Sequence, residues 1–256
     1  MSDGFGAFVR KEMTEIVRTW RLFVLPGMAL FFALTGPLTA RYTEQLLRVA
    51  GGPQIAAIIA AMPAPTFFDA YGQWIKNLTQ VVLIALIVIY GGIVSSERTS
   101  GTAVLVLTKP VSRQAFVAAK AFVHMLFIAA IVVVGTLITW GVTALVFGKA
   151  APGPLWQAAL SWLVLAWFFI GLMTLFSVLF GSQAGAAGAG IAAFAALSIA
   201  SISPAAVLFT PAGLVVTPAA VAAGAAFPSA WPVVGSIVGT ALLVALAASV
   251  FAGQEL

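Results

Sequence analysis

The polar positions of this chain are bunched, and the bunching divides it. From Asn77 to Ser96 no residue is charged, and from Ala121 to Gly148 none is either. Between these apolar runs lies ERTSGTAVLVLTKPVSRQAFVAAK, Glu97 to Lys120, a long polar break with a dense basic cluster. About 20 consecutive apolar residues suffice to cross a bilayer as a helix. The flanking runs therefore read as transmembrane spans and the segment between them as a handle standing in water. Inside the handle, Gly101 and Pro110 bracket the apolar AVLVL and limit it to one short element. Ser112 is a good N-cap, with Val111 and Phe116 spaced as a hydrophobic staple, so a new helix starts at about Arg113.

The same pattern, followed along the chain, predicts six spans. Phe5 to Trp20 places Phe5, Phe8, Val9, Met13, Ile16, Val17 and Trp20 on one side of a helix and Lys11, Thr14, Glu15 and Arg18 on the other, an amphipathic helix for the membrane interface. Glu12 falls inside the apolar stripe, where a basic residue or a partner subunit has to meet it. Leu22 to Ala40 is the first span, kinked at Pro26 and Pro37. Thr43 to Lys76 carries Glu44, Arg48, Asp69 and Lys76 with breaks at Gly51-Gly52-Pro53 and Pro63-Ala64-Pro65, which predicts an outer loop of short helices, Ile55 to Met62 lying on the interface. Trp74 fits an interfacial anchor at the start of span two, which runs from about Ile75 to Ser95. Span three runs from the handle to about Gly148, roughly 52 Å of helix at 1.5 Å per residue. That exceeds the hydrocarbon thickness, so its first two turns should stand in the cytoplasm with Arg113 and Lys120 on them. His124 is then an interfacial hydrogen-bonder. Lys149 to Pro154 is an outer turn and Leu155 to Phe180 span four. After the inner turn Gly181-Ser182-Gln183, the small-residue run AGAAGAGIAAFAALSIASIS forms span five, with Gly185, Gly188 and Gly190 as packing positions. Pro204, Pro211, Pro218 and Pro228 cut residues 204–231 into pieces too short to cross. Backbone at membrane depth must be buried in protein or line a cavity, so two re-entrant half-helices on the outer side are expected there, against the plainer reading of a proline-rich outer loop. Pro232 to Phe251 is span six.

Composition sharpens the class. With 62% hydrophobic and 7% charged residues the chain lies far from the roughly 25% charged content of soluble domains. The expected fold is one all-α integral membrane domain over residues 1–256, with the amphipathic helix at 1–20 and a cytoplasmic loop at 97–112. The absence of cysteine removes disulfides and thiolate metal sites. No apolar core of signal-peptide length precedes the first charges. A pI near 10.0 would suggest nucleic acid in a soluble chain, but here the basic residues cluster beside spans and no nucleic-acid partner is expected. From Ala150 to Gln254 there is no charged residue and no histidine, which argues against acid, base or metal chemistry in that half. No GxxxxGK[ST] loop occurs, so the chain does not cradle ATP by that device, and no enzyme activity of its own is expected. Placing the N-terminus inside puts eight basic residues of the first half in the cytoplasm and four outside, which favours both ends inside.

The handle also carries a resemblance. Glu97, Gly101-Thr102, a short apolar run, Lys109-Pro110-Val111-Ser112-Arg113, then Phe116 and Lys120 resemble the loop between the second and third spans of ABC-2-type transporter permeases. The early Lys11-Glu12, Arg18 and Trp20, and Tyr71, Gln73, Lys76-Asn77 and Gln80 at the start of span two, are similar to that family as well. The resemblance implies a type V exporter fold in the cytoplasmic membrane, a dimer with a second copy or a related permease, and a separate ATPase subunit that holds ATP and Mg. It implies that the handle is the coupling helix region, with Glu97, Thr99, Gly101, Thr102, Lys109, Pro110 and Arg113 contacting that ATPase, and that the half-helices form an outer gate. The uncharged interior suits export of a hydrophobic or amphipathic cargo. A secondary transporter would place ionisable groups near mid-membrane, which these spans lack. A non-transporting assembly scaffold is the other alternative.

Overall fold

In lipid each backbone N–H and C=O has to be paired within the protein, so a chain this apolar can cross only as helices or a closed barrel. The computed structural model, which describes residues 2–51, 56–101 and 112–254, takes the helical course, with no strand among the described residues. Among the described residues six helices are long and apolar enough to cross a membrane, so the chain is a multi-pass membrane protein. Helix α1 is Ser2–Arg18, α2 Arg21–Arg41, α3 Thr43–Gly51 and α4 Ala56–Ala61. The second span is composite: α5 (Phe67–Asn77), a π-helical turn (Leu78–Val82), α6 (Leu83–Tyr90) and, after a turn at 91–94, α7 (Ser95–Thr99). Then come α8 (Arg113–Phe147), α9 (Pro152–Phe180), α10 (Gln183–Ala200), the short α11 (Pro204–Phe209) and α12 (Gly213–Ala222), and α13 (Trp231–Ala252).

Helix α9 is the centre, packing on α6, α8, α10, α12 and α13. Trp162, Phe169 and Met173 are fully buried on it. Two of its hydroxyls are satisfied within their own helix, Thr174 Oγ1 donating to Ile170 O at 2.7 Å and Ser161 Oγ to Ala158 O at 2.9 Å. Helices α2, α10 and α13 form the outside, presenting Phe23, Ile199 and Leu242 outward. Ser112 caps α8 as its position predicts, accepting from Ala115 N at 3.1 Å; its staple partner Val111 lies outside the described residues, as do the AVLVL run and the breaks at Gly52-Pro53.

Four expectations are corrected. Span two starts at Phe67, not near Ile75, because Thr66 and Asp69 form a capping box, Thr66 N donating to Asp69 Oδ2 at 2.7 Å. The segment between spans one and two is accordingly shorter, although α3 and α4 are indeed short helices. Trp74 is no interfacial anchor: it is fully buried, its Nε1 donates to Thr136 Oγ1 at 3.3 Å, and its ring lies where a Cβ on Gly135 would come within 2.6 Å of Cη2. His124 is fully buried, its ring 4.7 Å from that of Tyr90, instead of lying at a boundary with water. Of the three glycines in span five, Gly190 is the inter-helix packing position, since a Cβ there would lie 2.5 Å from Met173 Sδ and 2.7 Å from Ile87 Cγ2. A Cβ on Gly188 would meet nothing within 4 Å, and the nearest atom to Gly185 belongs to Ser182 in its own cap.

The spans alternate between two ends. At one end Arg41 lies over the Phe147 ring at 5.7 Å and Tyr71 OH donates to Ala151 O at 3.0 Å. Helix α12 packs against α5 and α9, burying Leu214 and Val221. At the other end α1, α7, the start of α8, the Gly181 turn and Gln254 meet.

Candidate functional site

The site is assembled at that second end, and the turn between α6 and α7 prepares it. Gly91 and Gly92 let the chain pass close to the α9–α10 turn, where a Cβ on Gly91 would lie 2.6 Å from Gln183 O. Ser177 of α9 then caps the new helix: Val94 N and Ser95 N donate to its Oγ at 3.0 and 2.9 Å, and it donates to Ser95 Oγ at 3.2 Å. This sets α7 as a separate turn of helix and aims Glu97 inward.

Glu97 enters a buried charge cluster. Its Oε1 accepts from Lys11 Nζ at 2.5 Å and from Lys120 Nζ at 2.6 Å. Lys120 also donates to Glu12 Oε2 at 3.0 Å, and Lys11 to Glu12 Oε1 at 2.9 Å and pairs with Glu15 Oε2 at 2.9 Å. The Lys120 and Glu12 side chains are 1% exposed and Glu97 9%, whereas Lys11 at 32% reaches water. Buried charges survive only when paired and hydrogen-bonded, and here α1, α7 and α8 each supply charge to one cluster. An aromatic base lies beneath: Phe116 is 5.1 Å from Lys120 Nζ and packs against Phe8 and Phe251. Burial pulls the Lys11 ammonium toward its neutral form, but the Glu97 hydrogen bond together with Glu12 and Glu15 outweighs it and holds its pKa well above the ordinary lysine value. Glu12, Glu15 and Glu97 bring one carboxylate oxygen each within 4.8 Å of one another, the spacing of a cation site. The two ammoniums already stand among them, so the cluster is closed by lysine.

A second set of contacts surrounds it. Arg98 Nη1 donates to Gln254 Oε1 at 2.8 Å, and Arg113 Nη1 donates to Gln254 O at 2.5 Å. Thr99 Oγ1 bonds Ser95 O at 2.8 Å, and Gly101, at φ +72°, closes the turn after α7. Of the residues singled out from the sequence, Glu97, Thr99, Gly101 and Arg113 are thus placed at one end of the molecule, while Thr102, Lys109 and Pro110 lie outside the described residues. Glu97 faces the interior, so whatever it does for an outside partner passes through Lys11, Glu12 and Lys120. Lys120, expected to stand in water, is enclosed by protein, because the first turns of α8 are covered by α1 and not by solvent. Glu12 in the apolar stripe of α1 found the basic residue it called for. Sequence reasoning missed Ser177, Arg98 and Gln254, which have no local pattern to mark them.

These features define a multi-pass helical membrane protein whose polar second-to-third-span connection is tied to its N-terminal helix by buried charge. The chain belongs to the DUF2705 family, described as a protein of unknown function, which matches residues 58–251, from α4 to the last turn of α13. No curated protein matches the chain.

Proposed function

We propose that this chain is the permease subunit of an ATP-binding cassette transporter of the ABC-2 type, driven by a separate ATPase subunit and paired with a second permease. The observation that carries the reading is the Lys11–Glu12–Glu97–Lys120 cluster. It joins the polar connection between spans two and three to α1 and α8, so a push on that connection is delivered to two helices at once. A surface loop held only by exposed charges would yield instead, since exposed pairs contribute little. In this reading ATP-driven closure of the partner displaces residues 97–113, with Thr99, Gly101, Thr102, Lys109, Pro110 and Arg113 forming the docking surface and Glu97 passing the displacement inward. Coupling of this kind needs two packed arrangements that nucleotide biases. Helices α11 and α12, at the far end, act as the re-entrant outer gate. The uncharged faces of α2, α10 and α13 meet lipid and the second permease, and the cargo is hydrophobic or amphipathic and exported.

The test is affinity purification of the full chain from its native membrane. An ATPase subunit is expected to copurify, and paired charge reversal at Glu97 and Arg113 is expected to abolish nucleotide-dependent transport. Purification without any nucleotide-hydrolysing subunit, or labelling of residues 99–112 from outside the cell alone, would refute the proposal.

A further inference from the structure

We infer that Gln254 is a positioning residue for the connection between spans two and three, tying both of its roots to the end of the last span. Arg98 and Arg113 stand just before and just after residues 102–111, and both reach the same residue. Arg98 leaves the exposed side of α7 and donates to the Gln254 side-chain oxygen at 2.8 Å. Gly181, in the left-handed region at φ +63°, keeps its path open: a Cβ there would come within 3.1 Å of Arg98 Nη2. Arg113, at the first position of α8, donates to Gln254 O at 2.5 Å and to Ala252 O at 3.5 Å. Ala252 O is the last carbonyl of α13 and Gln254 O lies two residues beyond it; carbonyls at a helix C-terminus have no partner inside the helix and favour a cation. The Gln254 amide nitrogen donates to Val178 O at 3.3 Å, a carbonyl in the last turn of α9.

The chemistry selects glutamine. A side-chain amide accepts from a guanidinium and donates to a carbonyl at once; glutamate can only accept, and alanine can do neither. One residue therefore links the ends of α7, α8, α9 and α13. The charge cluster fixes the inner face of α7 and Gln254 its outer face, so the connection is held from both sides. The tether stands on these contacts alone; its consequence for ATP turnover rests on the reading under Proposed function.

Amide hydrogen exchange of the full chain in lipid nanodiscs tests the tether. Losing a hydrogen bond to an exposed charged group should speed exchange in residues 92–101 by about fivefold. Gln254→Ala is expected to do so without speeding exchange within α9, Gln254→Glu to stay within about twofold of the parent because the Arg98 bond survives, and Arg98→Gln to match Gln254→Ala. Arg98→Gln also replaces Gln254→Ala as the deciding variant should the latter fail to fold. Unchanged exchange in 92–101, or acceleration spread equally over α9, overturns the inference. In complex with the copurified ATPase, Gln254→Ala should lower nucleotide turnover with subunit association intact; parent-like turnover overturns the functional part. If no ATPase copurifies, the reading under Proposed function fails, while the exchange result still decides the tether.

Discussion

Replacing Lys120 with methionine keeps the length and volume of the side chain and removes its charge. Two carboxylates then lose their shared cation, at contacts of 2.6 Å to Glu97 and 3.0 Å to Glu12. Stripping one partner from a buried ion pair costs about 3–5 kcal/mol, because the remaining charge is left uncompensated. Lys11 still reaches both carboxylates, which places the loss at the low end, about 3 kcal/mol. For a chain of this size each kcal/mol moves the unfolding temperature by about 2–4 °C, so Lys120→Met should lower it by on the order of 10 °C. The assay is the fraction of monodisperse protein left after heating in detergent. A matched variant separates electrostatics from packing: Glu12→Gln with Glu97→Gln and Lys120→Met removes the charge on all three and should recover most of the loss, since neutral groups of similar volume replace buried ions with little penalty. If Lys120→Met unfolds within about 2 °C of the parent, or the triple variant falls as far as the single one, the cluster is not what joins α1, α7 and α8.

The glycines of α10 should separate cleanly. Gly190→Ala is expected to destabilise by about 1–3 kcal/mol through overpacking against Met173 and Ile87, whereas Gly188→Ala should be neutral or stabilising by up to about 1 kcal/mol; equal thermal shifts would contradict the packing described. Ser177→Ala leaves Val94 N and Ser95 N without their acceptor, for a loss of about 1–3 kcal/mol, with faster amide exchange at those two residues as the reporter. The Lys11 pKa is raised on folding, so its contribution to stability is complete below the unfolded value of about 10.4 and fades only as pH climbs through the higher folded value. Unfolding temperature should therefore show no loss attributable to Lys11 between about pH 7 and 9.5; a parent-specific decline over that window, absent in Lys11→Met, would contradict it.

What could be read from the sequence was what periodicity and composition encode directly. The apolar runs gave the spans, Ser112 gave the start of α8, and the misplaced Glu12 announced a buried partner. The start of span two was harder to see because Asp69 and Lys76 make 67–76 look like a loop. The sign that it is helix was the Thr66–Asp69 spacing, a capping box. Trp74 was misjudged for a related reason: tryptophan is common at membrane boundaries, and only the glycine 61 residues later, which accommodates its ring, makes it a core residue. Lys120 shows the same limit. Nothing within its own helix says whether water or a carboxylate waits beside it; that depends on α1 and α7, whose Glu12 and Glu97 lie 108 and 23 residues earlier in the chain. Ser177 and Gln254 act on helix ends far along the chain. No local signal could have found them.

The π-helical turn at Leu78–Val82 gives span two a local tolerance to a change of length. A wide turn of this kind holds one residue more than the α-helix around it, and each residue in an α-helix advances the side-chain direction by about 100°. Deleting a single residue such as Gln80 is expected to close the wide turn into ordinary helix with its local hydrogen bonding intact. Everything beyond would then keep nearly the same facing and Glu97 would stay with its lysines, whereas the same deletion in the regular helix of α6 would carry Glu97 about 100° around the axis. A missing codon at this bulge would spare both the crossing of the membrane and the alignment of its inner end, while a missing codon a turn further on would break that alignment.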